Sequence, residues 1–195
     1  MSRYHCLYHA LPSQTIGPFF HFSLTRNPTL GCLRRPDAKG EHIRVRFRLV
    51  DGDGAPVPDG MLEIWQADAS GKYDHPEDRQ EQAHDPALRG FGRLATDNEG
   101  YCTFETVYPG RVPDGQGGRQ ASHLNISVFA RGLLGRLCTR VYFEGDSGLC
   151  EDAVLALAPE DGRHTLIARR DPNEPSQWNF EIRLQGEQET VFFDI

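Results

Sequence analysis

The sequence predicts an all-β fold: a β-sandwich of mixed-length strands with an irregular N-terminal arm and few short helices. Three observations predict it. Apolar residues recur with period two in several short runs, the pattern of a half-buried strand. Those runs are divided by turn-rich segments, and 20 Gly and 13 Pro among 195 residues punctuate the chain too densely for a helix bundle. Finally, there is no G-x-G-x-x-G, no P-loop and no alternation of strand with helix that would build a parallel α/β sheet. Short, evenly spaced strands broken by turns mean a sandwich or barrel. A chain of this length makes one domain, or one domain with a long arm, and buries roughly 70% of its unfolded surface without metals or disulfides. We divide it into an arm, 1–40, and a β-domain, 41–195.

The arm carries Pro12, Pro18, Pro28 and Pro36, which interrupt any helix or central strand. Its GPFFHFSL segment is aromatic enough to require a surface to pack on. In IRVRFRLV, Ile43, Val45, Phe47 and Leu49 alternate with Arg44, Arg46 and Arg48, so one strand face is apolar and the other is solvated or salt-bridged. DGDG (51–54) is a turn, and MLEIWQAD (61–68) a second strand. Residues 74–90 are polar without a period and read as an excursion. FGRLATDNEGYCTFETVYPG holds two strands about a DNEG turn. HLNISVFARG alternates at Leu124, Ile126 and Val128, and a further strand carries Thr139, Val141 and Phe143. EDAVLALA (151–158) and TLIARR are candidate short helices. WNFEIRLQG alternates again, through Trp178, Phe180, Ile182 and Leu184.

Composition excludes several function classes. The formal charge is −7 at pH 7, which argues against a polyanion-binding surface and hence against nucleic acid as a partner. No apolar run reaches the roughly 20 residues of a membrane span. MSRYHCLYHALPS has no apolar h-region, so no signal peptide is expected. Five cysteines at wide spacings, without a CxxC, point to free thiols in a reducing cytoplasm.

Candidate chemistry is sparse. Eight histidines contain no HxH and no HExxH. Tyr73 and His123 lie at predicted strand ends, and phenolate and imidazole both suit ferric iron. Two ligands are too few for a tight site, and on spacing alone a loop aromatic and a hydrogen-bonded strand-end residue explain them better. His5 and His9 stand at i, i+4 but in a terminus expected to fray. There is no G-x-S-x-G elbow. Cys102 falls inside a strand, which favours burial over reactivity. Asp51, Asp53, Asp97 and Glu99 sit in glycine-rich turns, where turn hydrogen bonding accounts for them. Arg131, in FARG, offers a bidentate clamp for a carboxylate, although a lone arginine in an acidic protein more often makes a surface ion pair.

Taken together, LPSQTIGPFFHFSL (11–24), DGDGAPVPDGMLEIWQADASGKYD (51–74), SHLNISVFARG (122–132), RVYFEGD (140–146) and FEIRLQGEQETVFFDI (180–195) resemble the intradiol ring-cleavage dioxygenases. The likeness runs in order from about residue 11 to the C-terminus. It implies a β-sandwich and a non-haem Fe(III) held by two tyrosines and two histidines. Tyr73, in GKY, matches the first tyrosine. The second follows a PG turn, where this chain has Val112. The histidines form H-x-H, matched here by His123 and Asn125. Two of four ligands are therefore lost, as in the alpha chains of the two-subunit members. That resemblance implies a homologous beta subunit carrying the iron, with this chain lining the pocket through Thr15, Gly17, Pro18 and Arg131. A small aromatic acid and O2 would be the substrates. Two alternatives stay open at this point: a transthyretin-like binding or structural module, which DGDGAPVPDG also suits, and a self-sufficient catechol-type enzyme with altered ligands.

Overall fold

The computed structural model describes Thr15 and residues 17–194, and for Pro18, Phe19 and His21 the backbone only. The His5–His9 pair and the LPSQ part of the arm lie outside the described residues. Eight strands follow one another: β1 (His42–Val50), β2 (Met61–Trp65), β3 (Phe91–Ala95), β4 (Tyr101–Val107), β5 (His123–Phe129), β6 (Leu137–Phe143), β7 (Ile167–Arg170) and β8 (Gln177–Arg183). One short helix, α1 (Pro18–Leu24), precedes them.

All eight strands belong to one sheet in the order β3-β2-β5-β6-β7-β8-β1-β4. Pairing is parallel for β1 with β8 and for β6 with β7, and antiparallel elsewhere. The sheet curls until it is nearly closed. Its two end strands, β3 and β4, follow each other in sequence through the 96–100 turn. Both halves point their alternate residues into one core.

The period-two pattern of β1 explains its place. Val45, Phe47 and Leu49 are fully buried, while the arginines between them face outward. Arg44 pairs with Glu174, Arg48 with Glu181 at 3.3 Å, and Arg46 lies 3.9 Å from the centre of the Tyr101 ring. The expected salt-bridged face is therefore present. Phe47 meets Phe104 edge-on at 5.7 Å, and Phe143 meets Trp178 at 5.0 Å, the geometry that aromatic quadrupoles prefer.

The acidic turns behave as turns. Asp51 Oδ1 accepts from the amides of Asp53 and Ala55, and Asp97 Oδ1 from those of Glu99 and Tyr101. Cys102 is buried and free of disulfide. Burial, with the Asp97 charge adding to it, raises its thiol pKa far above the ordinary range. The two helix expectations need correcting. TLIARR splits into the end of a 3-10 turn (Arg163–Leu166) and strand β7, because Ile167 and Ala168 pair with β6 and Arg169 and Arg170 with β8. EDAVLALA forms no α-helix, only 3-10 turns at Leu149–Glu151 and Leu155–Leu157. No helix among the described residues is long and apolar enough to cross a membrane.

Candidate functional site

Strand β2 ends at Trp65, and the chain then turns through Gln66–Lys72 before presenting Tyr73. Asp68 shapes this turn. Its carboxylate accepts from the Ser70 amide at 2.8 Å, the Ser70 hydroxyl at 2.7 Å, the Lys72 amide at 3.0 Å and the Asp85 amide at 2.9 Å. Burial alone would raise the Asp68 pKa, but these donors outweigh it and hold it below the usual value. Gly71 has φ +86°, and a Cβ there would run into the Arg111 carbonyl, so the turn needs glycine. Asp78 then fastens the far side. It accepts from the Tyr73 amide at 2.8 Å and from Lys72 Nζ at 3.1 Å. Partial desolvation opposes ionisation, yet bonds from Tyr73, Gln80 and Lys72 bring Asp78 down to about 2. The Tyr73 ring stacks on Trp65 with centroids 5.9 Å apart and planes 10° from parallel.

Strand β5 brings its side of the site by register. Asn125 stands opposite Trp65 on β2 and Arg140 on β6, and His123 opposite Tyr142. Tyr73 Oη lies 3.2 Å from His123 Nε2, and Asn125 Nδ2 donates to the same oxygen at 3.2 Å. His123 Nδ1 lies 2.7 Å from the Ala121 carbonyl. A carbonyl only accepts, so Nδ1 carries the proton and Nε2 accepts from the tyrosine. Val112 is buried and lines the same cavity as Tyr73. The four positions Tyr73, Val112, His123 and Asn125 thus converge, as the resemblance implies.

They do not form a ferric site. The phenol and the imidazole satisfy each other, Val112 offers no donor atom, and Asn125 presents its amide N–H rather than an anion. Burial raises the Tyr73 pKa, with the Asn125 bond and the Arg140 charge acting the other way. Among the described residues no group of three or more His, Cys, Asp or Glu is placed to hold a metal.

His123 is almost wholly buried, and that desolvation, together with the nearby Arg140 charge, brings its pKa down to about 4. The unfolded chain protonates this histidine near 6.5, the folded chain only near 4. Stability from its burial is therefore complete above about pH 6.5 and is lost as pH falls toward 4. Chemical denaturation across this window should show wild-type stability dropping by a few kcal/mol, on the order expected for a shift of this size. His123→Gln should flatten that pH dependence.

Asp152 supports the same corner from below, and the sequence pattern alone did not single it out. Its buried carboxylate accepts from the Ala121 amide at 2.7 Å, the Tyr142 hydroxyl at 3.0 Å and the amides of Val154 and Leu155 at 2.9 and 2.8 Å. Ala121 is the residue whose carbonyl orients His123. An aspartate directly ahead of AVLALA is a recognisable cap signature and was the available signal. Arg140 was also missed, and its position within RVYFEGD gave no signal of its role.

The other expected group lies elsewhere. Thr15 Oγ1 accepts from the Gly132 amide at 2.7 Å, and the Phe20 ring lies 6.4 Å from that of Phe129. The described part of the arm therefore packs beside the FARG segment, with Thr15 bonded to the residue that follows Arg131. Gly17 is exposed, and a Cβ there would meet nothing. Arg131 is two-thirds exposed and pairs through Nε with Asp59. His123 opens β5 and Arg131 lies two residues past its end, so roughly 25 Å of extended chain separates them.

A family model described as "Dioxygenase" matches residues 16–186. The chain is 42% identical over 198 residues to the protocatechuate 3,4-dioxygenase alpha chain of Pseudomonas putida, covering 94% of this chain and 96% of the relative. It is 35% identical over 185 residues to the protocatechuate 3,4-dioxygenase beta chain of Burkholderia cepacia, covering 91% of this chain and 77% of that one. Among solved structures, 3-chlorocatechol 1,2-dioxygenase of Rhodococcus opacus 1CP matches with a TM-score of 0.61 at 25% identity, over 78% of this chain and 63% of that one.

Proposed function

The chain belongs to the intradiol ring-cleavage dioxygenase family, and from that premise we propose that it is the alpha subunit of a protocatechuate 3,4-dioxygenase. The observation that carries this reading is the closed centre at Tyr73. Two ligand positions are replaced, and the two that remain bond to each other. The iron would then be held by a homologous beta subunit, where it would supply the chemistry that activates a catechol. The overall reaction opens 3,4-dihydroxybenzoate between its hydroxylated carbons with one O2, both oxygen atoms entering the product, 3-carboxy-cis,cis-muconate. In this reading the complex serves aromatic catabolism through the beta-ketoadipate pathway, in the cytoplasm. We read the two halves of the curled sheet as the leaves of the expected sandwich, and residues 1–40 as an arm serving the assembly.

In this reading Thr15, Gly17, Pro18 and Arg131 complete the pocket of the partner. Their distance from Tyr73 and His123 supports it, because a cluster at the opposite end of β5 does not serve this chain's own centre. The residue types suit that role. Gly17 admits close backbone approach, Pro18 stiffens the wall, and Arg131 offers its charge to a carboxylate. Phe22 and Leu24 on α1 and Leu134 beyond Arg131 are exposed, an apolar margin suited to a subunit contact. The transthyretin-like alternative is set aside by the family match across residues 16–186.

The test is reconstitution. The chain purified alone is expected to be colourless, iron-free and inactive. Co-expression with its beta partner should give a tyrosinate-to-iron visible band and oxygen uptake with 3,4-dihydroxybenzoate. One ferric ion per isolated chain, with turnover, would overturn the subunit assignment.

A further inference from the structure

The closed centre has a cation of its own. Arg140 is half-buried on β6 and lines a cavity of about 720 Å³ together with Trp65, Tyr73, Val112, Pro113 and Gln120. Its Nη1 donates to Gln120 Oε1 at 2.6 Å, and it makes no ion pair among the described residues. The other charges around this cavity are matched. Lys72 Nζ sits 3.1 Å from Asp78, and Arg79 lies 3.8 Å from Glu77. What remains is one guanidinium without an ion pair among the described residues, in a cavity lined by apolar Trp65, Val112 and Pro113 on one part and by polar His75, Asp78 and Gln80 on another. Its charge is felt by both Tyr73 and His123.

An unmatched, partly desolvated guanidinium is a strong partner for a planar carboxylate, which it can bind through two parallel N–H donors. The neighbouring Trp65 indole, stacked on Tyr73, together with Val112 and Pro113, offers apolar surface to a ring. The cavity is within the size range of small-molecule pockets. We propose that this cavity is a metal-free binding site for a benzoate-type aromatic carboxylate, its carboxylate on Arg140 and its ring against Trp65. The site is separate from the Arg131 cluster at the other end of β5. It binds without turning over, because the redox metal that ring cleavage needs does not fit there.

The full-length chain, purified without its partner, is titrated with benzoate, with 3,4-dihydroxybenzoate, and with catechol as the analogue lacking a carboxylate. Calorimetry and tryptophan fluorescence follow binding. Both carboxylates are expected to bind saturably at one site, and catechol at least about tenfold more weakly, the loss expected for one charge-assisted contact. Arg140→Gln should weaken benzoate by a similar factor, and Arg140→Lys by less. Absence of saturable benzoate binding to the wild-type chain would overturn the proposal. So would equal affinity for benzoate and catechol, undiminished binding in Arg140→Gln, or loss of binding in Arg131→Ala. Should Arg140→Gln fail to fold, the comparison of benzoate with catechol on the wild-type chain and Arg140→Lys decides the question.

Discussion

Arg131→Ala in the assembled enzyme is expected to raise KM for 3,4-dihydroxybenzoate about 10- to 100-fold with little change in kcat. The loss corresponds to one charge-assisted hydrogen-bonded contact, about 1.5–3 kcal/mol. The structure adds a condition to this expectation. Arg131 already pairs with Asp59 through Nε, and its terminal nitrogens make no ion pair among the described residues. We expect Asp59 to position the arginine rather than to compete for it. Asp59→Ala should therefore raise KM only a few-fold, because an exposed pair of this kind contributes roughly 0–1 kcal/mol. Steady-state kinetics on the two variants separates the roles. An unchanged KM in Arg131→Ala would remove the residue from the pocket, and a lowered KM in Asp59→Ala would show that the aspartate obstructs it.

The largest stability effect is expected at Asp152. Asp152→Ala strips four donors of their acceptor in a buried corner, and leaving several buried donors unsatisfied costs about 3–5 kcal/mol in all, at about 1–3 kcal/mol for each that finds no water. For a chain of this size that is a fall in Tm of roughly 6–20 °C. Asp152→Asn, which keeps one acceptor oxygen, should lose less. Because the Asp152–Ala121 bond lies directly behind His123, the variant should also loosen the Tyr73–His123 contact. Faster solvent exchange of the His123 Nδ1 proton, followed by NMR, would register that loosening independently of Tm. A Tm within 2 °C of wild type, roughly what 1 kcal/mol or less gives, would show that the network is dispensable.

Much of this architecture was legible in the sequence because burial on one face forces alternation. Val45, Phe47 and Leu49 in β1, and Trp178, Phe180 and Ile182 in β8, announce their strands by spacing, and the structure buries each of them. The turns were legible too, since Asp51 and Asp97 perform local hydrogen bonding that needs no tertiary context. Where tertiary context decides, pattern was not enough. IARR is too short to display a period, and it became a strand only because β6 and β8 both offered free edges to it. Arg140 carried no local signature at all. Its place beside Tyr73 and Val112 appears only when the fold brings β6 next to the 74–80 loop. The contact of Thr15 with Gly132 spans the chain for the same reason.

The parallel pairing of β1 with β8 also constrains how the molecule comes into being. As the chain leaves the ribosome, β1 and β4 emerge early, yet the edge of β1 that β8 will cover stays open until residues 177–183 have been made. β7, which joins the two halves of the sheet, also arrives late. The core therefore closes only after residues 177–183 have emerged, as expected of a sheet built on long-range contacts. Until then the nascent chain carries an unprotected strand edge, and a ribosome stalled before residue 177 would release a fragment prone to pair with its own kind.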